Sequence, residues 1–353
     1  MPFERELAVF DPRRIEVHLL NETASLAWQA CEAQLDLDAA AAALAERSGA
    51  PVAKVADQLA ELVASLEARG LLGIDGAPPV VSVPADPPTG APAVALAVLD
   101  EVVAVEAGHP DDRAAVADAF AHLRTTRSPA RRLAVGRVDG GWRLHGGGHD
   151  ATHPALPGLL DALASQLNRV ATEAPSLLVL HAAALRSPSG RVVVLVGRSG
   201  AGKSTLAGAL VADGWDYLTD EAIGVEPAGG IVGYPKPLAL DAGSRRLLGV
   251  AEGPGELVAP EAVRAGASIV DRCEGPVALV AAVDRAADGL GPALGRAEAL
   301  VELAGHSLNL VPAGEAGLAA LVGVAWSTPV RTVGTNDLVS TVAALERTVR
   351  SVV

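Results

Sequence analysis

The apolar positions of this chain change period several times, and each change predicts a different element. Near the start, Leu7-Ala-Val-Phe10 and Ile15-Glu-Val-His-Leu-Leu20 flank Asp11-Pro-Arg-Arg14. Short β-prone runs around a proline-marked turn predict two strands. From Asn21, a good helix N-cap, the spacing turns helical: Ala24, Ala27, Trp28 and Cys31 fall on one stripe. A second helix is predicted from Leu37 to Arg47, capped by Asp36 or Asp38 and stopped by Gly49. A third starts near Pro51, a residue suited to a first helical turn. Val52, Val55, Leu59, Leu62 and Leu66 give it one apolar face, and Gly70 ends it. Strands, three helices and a closing Gly70-Leu-Leu-Gly73 outline a small winged-helix-like α+β domain over residues 1–74.

Residues 75–92 hold six prolines and predict a linker. Beyond it, Val94–Leu99 and Glu101–Val105 predict a strand pair, and Asp111–Leu123 a helix. Arg132–Val138 and Gly141–Leu144 flank Asp139-Gly140, a strong hairpin signal. Residues 93–150 are thus a β-rich N-terminal extension of a larger domain that runs to residue 353. His145-Gly-Gly-Gly-His149-Asp-Ala-Thr-His153 spaces three histidines four apart. On a helix they would share a face that could bind a metal, but three consecutive glycines disfavour a helix. A polar loop with solvated histidines is the expectation. Leu156, Leu159, Leu160, Leu163 and Leu167 then mark a helix over 155–174.

The strongest motif comes next. Arg191-Val-Val-Val-Leu-Val196 is a β-branched apolar run of buried-strand type. It leads into Gly197, Arg198, Ser199, Gly200, Ala201, Gly202, Lys203, Ser204 and Thr205, a full match to G-x-x-x-x-G-K-[ST]. Leu206, Ala207, Leu210 and Val211 continue on one helical face. Glycines let successive backbone N–H groups turn into one concavity, and the helix start adds its positive end. Lys203 would reach the β- and γ-phosphates of a nucleotide, and Ser204 would place its hydroxyl on Mg²⁺. Upstream, His181 sits between Ser176–Leu180 and Ala182–Leu185. Downstream, Asp220-Glu221 closes the short strand after Gly214. In a parallel sheet that strand end lies beside the phosphate loop, where one carboxylate could bind Mg²⁺ and the other take a proton. The remainder alternates extended and helical patterns: Gly233–Leu240 extended, Pro276–Val283 a buried strand, Arg296–Leu303 and Gly314–Val324 helical, Val330–Val333 a strand and Leu338–Val349 a helix.

Composition narrows the function. The 353 residues are half hydrophobic, enough for two domains with sizeable cores. A net charge of −14 repels nucleic acid and anionic membrane. The third predicted helix agrees: Lys54 and Arg69 stand against Asp57, Glu61 and Glu67, unlike a DNA-reading face. Cys31 and Cys273 form neither a disulfide framework nor a zinc set, and MPFERELAVF lacks the apolar region of a signal peptide. The longest weakly polar run, Gly317–Val330, is short for a membrane span. A cytoplasmic protein without membrane or nucleic-acid partners is expected.

Two resemblances carry the reading further. Val17-His-Leu-Leu-Asn-Glu-Thr-Ala24, Trp28 and Leu66-Glu-Ala-Arg-Gly-Leu-Leu72 resemble the PqqD-like family, the peptide-chaperone domains also called RiPP recognition elements. The resemblance implies a leader peptide added as a strand beside Val17, His18, Leu19 and Leu20. That peptide would be gripped against the third helix near Val55, Gln58, Leu59 and Leu62. A structural or dimerising winged helix is the alternative. The second resemblance covers roughly residues 176–345. His181, the loop Gly197–Ser204 and Asp220-Glu221 are similar, in order and spacing, to the catalytic domain of HPr kinase/phosphorylase. That family usually has aspartate where this chain has Glu221, and no phosphorylase signature is present here. The resemblance implies an α/β P-loop kinase domain using ATP and Mg²⁺. Asp220 would be the general base, and Glu221 with Ser204 would hold the metal, with Asp220 also near it. His181 would orient the base or the γ-phosphate. It also implies a homo-oligomer.

Together the two halves look like the kinases that phosphorylate a ribosomally made precursor peptide, of which lasso-peptide serine kinases are examples. Tethering the leader would raise the effective concentration of the acceptor hydroxyl. Two other readings stay open: a small-molecule kinase that uses residues 1–74 for assembly, and a nucleotide-gated switch in which Asp284 is the magnesium carboxylate.

Overall fold

The computed structural model describes residues 2–3, 6–11, 16–20, 41–42, 45, 51–68, 90–174 and 176–351. The chain separates into two compact units, residues 1–80 and 81–353. The helix predicted after Asn21, most of that predicted over 37–47, the closing Gly70–Gly73 and most of the linker lie outside the described residues.

In the first unit, β1 (Pro2–Phe3), β2 (Glu6–Asp11) and β3 (Glu16–Leu20) form an antiparallel sheet in the order β1-β2-β3. β2 pairs with β3 from Leu7↔Leu20 to Asp11↔Glu16, so among the described residues β3 is an edge. Helix α1 (Val52–Ala68) follows. Its Val55 and Leu59 are buried with Ala41 and Ala45, the i, i+4 contacts expected of one helical face.

The second unit begins with a five-stranded sheet. β4 (Ala93–Val98) and β5 (Glu101–Ala107) are antiparallel, as alternation in Val94, Leu96 and Val98 predicts. Helix α2 (Pro110–Ala119) starts on an N-cap His109 whose Nδ1 accepts from Asp111 N at 3.2 Å. It ends earlier than predicted; a 3₁₀ turn, Ala121–Leu123, completes the segment. β6 (Arg131–Val138) runs parallel to β5, and β7 (Gly141–Gly146) and β8 (His149–His153) extend the sheet antiparallel. The three-histidine segment is therefore a hairpin, not a polar loop. Gly146, Gly147 and Gly148 all take positive φ and make its turn, and the Nε2 atoms of His149 and His153 are buried. Helix α3 (Leu156–Thr172) buries Leu159, Leu163, Leu167 and Val170 and packs across β7 and β8.

Then β9 (Leu178–Leu180), β10 (Ala182–Arg186), β11 (Val192–Val196), α4 (Lys203–Ala212), β12 (Asp216–Thr219), β13 (Ile223–Val225), β14 (Ile231–Val232) and β15 (Leu238–Ala239) follow. Next are α5 (Ala242–Leu248), β16 (Leu257–Val258), α6 (Pro260–Val263), β17 (Arg272–Cys273), β18 (Val277–Val283) and β19 (Leu290–Ala293). Last are α7 (Arg296–Ala304), α8 (Leu310–Ser327), β20 (Val330–Val333) and α9 (Leu338–Ser351).

The principal sheet has the order β12-β10-β11-β18-β20-β19. β11, β18 and β20 are parallel neighbours, while β10 is antiparallel to both β11 and β12. β11 and β18 are buried along their whole length, which is why they read as continuous apolar runs. Leu206, Leu210, Val342 and Leu345 from α4 and α9 pack in the same core as Val193 and Leu195. Each such buried Val or Leu contributes roughly 1.5–3 kcal/mol. A smaller antiparallel sheet, β17-β14-β13-β9, joins the core that holds the five-stranded sheet.

Helix α8 starts before the predicted Gly314, where φ 56° and ψ −142° kink it. Its 18 residues are long and apolar enough to cross a membrane by length and composition. In this fold it packs on α7 and β9 and buries Leu310, Leu321 and Val324.

Candidate active site

Sheet order decides which residues meet. Because β10 lies antiparallel between β11 and β12, those two strands run in the same direction and end at the same edge. The start of β10 lies at that edge too. The residues following β11 and β12 and the residue preceding β10 are therefore neighbours. These are the phosphate-loop segment, the Asp220-Glu221 pair and His181.

The loop after β11 bends sharply into α4. Gly202, the N-cap, has φ 102°, a left-handed conformation that glycine adopts without strain. Gly197 lies so close to β18 that a Cβ there would be 2.7 Å from the Val283 carbonyl oxygen. Arg198, Ser199 and Gly200 are exposed, Ala201, Ser204 and Thr205 half-buried. The Thr205 hydroxyl is 2.7 Å from that of Ser244.

Lys203 is buried and bends back over the loop. Its ammonium donates to the carbonyl of Gly197 at 2.6 Å and of Arg198 at 3.3 Å, and lies 3.0 Å from His181 Nε2. Burial lowers its pKa, opposed by the charges of Glu221 and Asp220. The opposite side of the imidazole meets Glu221: Nδ1 is 3.1 Å from its backbone oxygen and 3.4 Å from its Oε1. Burial, followed by the Lys203 charge, lowers the His181 pKa.

The two adjacent carboxylates differ sharply. The Asp220 side chain is 0% exposed. Its Oδ1 accepts from Lys236 Nζ at 2.7 Å and from the Tyr217 hydroxyl at 3.0 Å. Its Oδ2 accepts from Ala239 N at 2.9 Å. Burial pushes its pKa up, but the Lys236 charge and these hydrogen bonds outweigh burial and hold it below the ordinary range. The Glu221 side chain keeps 28% exposure, and burial raises its pKa against the pull of Lys236. The saturated, sealed carboxylate is thus the one read from the sequence as a base, and the accessible one is that read as a metal ligand.

Lys236 was not legible as a site residue. Its segment reads only as extended and proline-marked. Asp284, the carboxylate of the switch reading, is exposed and accepts from Ala286 N at 2.9 Å, capping its own turn.

Among the described residues, no group of three or more His, Cys, Asp or Glu side chains is arranged to hold a metal. Ser204 and Glu221 nonetheless offer hard-oxygen donors, one hydroxyl and one carboxylate, whereas both oxygens of Asp220 are already taken by Lys236, Tyr217 and Ala239 N. Mg²⁺ accepts such donors when waters and substrate phosphates complete its coordination.

In the first unit, Val17, His18, Leu19 and Leu20 lie on β3, an edge among the described strands. Val55 and Leu59 do not form an open surface: they are 6% and 1% exposed and belong to the unit's own core, with Leu62 half-buried against it. The side chain of Gln58 lies outside the described residues.

A search of curated proteins found no match to the chain. Residues 6–72 match the family of coenzyme PQQ synthesis protein D (PqqD). The chain therefore carries an N-terminal PqqD-like domain, over residues 6–72, ahead of a larger α/β domain.

Proposed function

We propose that the α/β domain is an ATP- and Mg²⁺-dependent kinase of the HPr kinase type, and that it phosphorylates a hydroxyl, a serine by preference, of a ribosomally made precursor peptide. The PqqD-like domain would recognise that peptide through its leader. The observation that carries the reading is the meeting of Lys203, His181 and Glu221 at one sheet edge.

Each residue has its own part in the transfer. The backbone N–H groups of Gly200–Ser204 and the Lys203 ammonium bind the phosphates of ATP. Ser204 and Glu221 would hold the cation, which when bound would supply charge neutralisation on the phosphate oxygens. Glu221 faces solvent and is the group we assign as base, in place of the sealed Asp220. It takes the proton from the acceptor hydroxyl as that oxygen forms its bond to the γ-phosphorus. The bond from the γ-phosphorus to the bridging oxygen breaks, and ADP leaves with that electron pair. His181, held between Lys203 and Glu221, keeps both in position.

The test is peptide mass. The full-length protein is incubated with Mg²⁺, ATP and a short peptide encoded beside its gene. A gain of one phosphate that needs Lys203, Glu221 and the leader half supports the reading. A peptide that binds residues 1–74 without modification leaves a peptide sensor. Neither binding nor modification, with turnover on free hydroxyl metabolites, replaces it with a small-molecule kinase.

A further inference from the structure

Among the described strands, β4 is one edge of the five-stranded sheet, with β5 its partner. In an antiparallel pair, alternate residues turn both backbone groups toward the neighbouring strand or away from it. Two bonds fix the alternation here. Ala107 N on β5 donates to the Pro92 carbonyl at 3.0 Å, so Pro92, Val94 and Leu96 face β5. Thr125 N donates to the Ala95 carbonyl at 3.0 Å from the other side, so Ala93 and Ala95 face outward. Arg124 bridges Leu96 and closes the edge beyond that point. The N–H and C=O of Ala93 and the N–H of Ala95 are left on the open stretch.

Helix α2 packs against β4 and β5, and a cleft of about 530 Å³ lies between it and this edge. Pro110, Arg113, Ala114 and Ala117 line one wall, the i, i+3, i+4, i+7 spacing of a single helical face. Ala93 and Ala95 lie opposite, and small side chains on both sides leave the backbone edge accessible. Three edge residues span roughly 10 Å at about 3.4 Å each, room for a short extended segment.

Among the residues lining the cleft, the charged ones are Arg113 and Arg124. Arg113 Nη1 donates to the Ala107 carbonyl at 3.1 Å, a neutral partner that leaves the rest of the guanidinium fork available. Arg124 is exposed, and neither arginine is ion-paired among the described residues. Glu106, opposite Ala93 on β5, is buried against Arg132 at 2.7 Å and does not offset them. Two unneutralised cations beside an open strand edge call for a short acidic ligand. The net charge of −14 repels a long polyanion such as nucleic acid.

We propose that the β4–α2 cleft binds an acidic peptide segment as an added strand. The Ala93 and Ala95 backbone groups bond its main chain, and Arg113 and Arg124 take its carboxylates. Backbone bonds supply affinity that is blind to sequence, and the arginines select acidic side chains. The site lies wholly within residues 93–125 and stands whether or not the proposed phosphoryl transfer does.

The experiment uses full-length protein and a fluorescein-labelled heptapeptide of alternating alanine and glutamate, amidated at its C-terminus. The same peptide with glutamine for glutamate is the control. Fluorescence anisotropy gives affinity, and hydrogen–deuterium exchange gives location. The acidic peptide is expected to bind at least about 10-fold more tightly than the neutral one. Arg113→Gln and Arg124→Gln should each weaken it about 10-fold, the usual effect of losing a hydrogen bond to a charged group. Arg124 is exposed, so its variant decides the matter if Arg113→Gln fails to fold. Bound peptide should slow exchange at the Ala93 and Ala95 amides. Equal affinity for the two peptides, or wild-type affinity in Arg124→Gln, overturns the inference. Protection confined to residues 16–20 also overturns it and assigns the peptide to β3. Free glutamate that displaces the probe as well as unlabelled peptide at the same concentration overturns strand addition in favour of a small-carboxylate site.

Discussion

The Lys203 ammonium lies 3.0 Å from Nε2 of His181. An ammonium has three donors and no acceptor, so Nε2 must accept and Nδ1 must carry the imidazole proton. That proton points at the Glu221 backbone oxygen, 3.1 Å away. Protonating Nε2 would set two cations face to face. ¹⁵N NMR of labelled protein should therefore show a neutral, Nδ1–H tautomer for His181 at neutral pH. Its pKa is lowered in the fold from 6.5, so the folded state binds fewer protons than the unfolded one just below that value. Its stabilising effect is present above that value and is lost as pH falls through it toward the lower folded one. A charged imidazole at pH 7 would refute the assignment.

Glu221 should dominate the acid limb of activity. Its pKa is raised by burial, and the base must be ionised to act, so turnover falls as pH drops through that raised value. Glu221→Gln should lower kcat by roughly 10²–10⁴-fold and remove the limb. Steady-state rates across pH check both.

The buried Lys236–Asp220 pair gives a stability signature. Removing either partner leaves the other unpaired in the core and should cost about 3–5 kcal/mol, whereas removing both should cost clearly less. Asp220 has a depressed folded pKa. Its contribution is present above the unfolded value near 3.9 and is lost as pH falls through the folded one. Urea denaturation of both single variants and the double variant across pH measures this.

Gly202→Ala should weaken nucleotide binding and lower stability by about 1 kcal/mol or more, because its φ of 102° strains any residue with a Cβ. Gly197→Ala should do the same through the 2.7 Å approach to the Val283 oxygen. Fluorescent-nucleotide titration and thermal melts separate the two effects.

Asn309 should be a structural hot spot. Its Oδ1 accepts from Val179 N at 2.7 Å, and its Nδ2 donates to the carbonyls of Leu177 and Ala174 at 2.9 and 3.2 Å. Asn309→Ala would orphan these buried groups and should cost about 3 kcal/mol. A denaturant midpoint equal to wild type would contradict it.

Local pattern made much of this readable. The β11–loop–α4 unit has a fixed spacing of glycines and lysine, and Asp220-Glu221 is visible as the end of the next apolar strand. What escaped the sequence depends on tertiary contact. Lys236 meets Asp220 across 16 positions, and nothing local says that a lysine between prolines is sealed. Three glycines after His145 read as loop because each costs helix stability, yet the same freedom of φ makes them a hairpin turn. Val55 and Leu59 show an apolar helical face. Periodicity cannot distinguish a face that awaits a ligand from one already covered, as it is here by Ala41 and Ala45.

The antiparallel strand between β11 and β12 has a consequence for how function is lost. His181 and Glu221 flank the ends of β10 and β12, and Lys203 opens the helix that the loop after β11 feeds, so their spacing is set by backbone ladders, two strand widths or roughly 9–10 Å across. A slip of one residue in β10 would turn its side chains to the opposite face and misplace His181. The three residues can therefore be in place only when the β12-β10-β11 side of the sheet is fully formed. Phosphate-binding competence should rise and fall with the cooperative folding of the domain, with no partly unzipped form that keeps it.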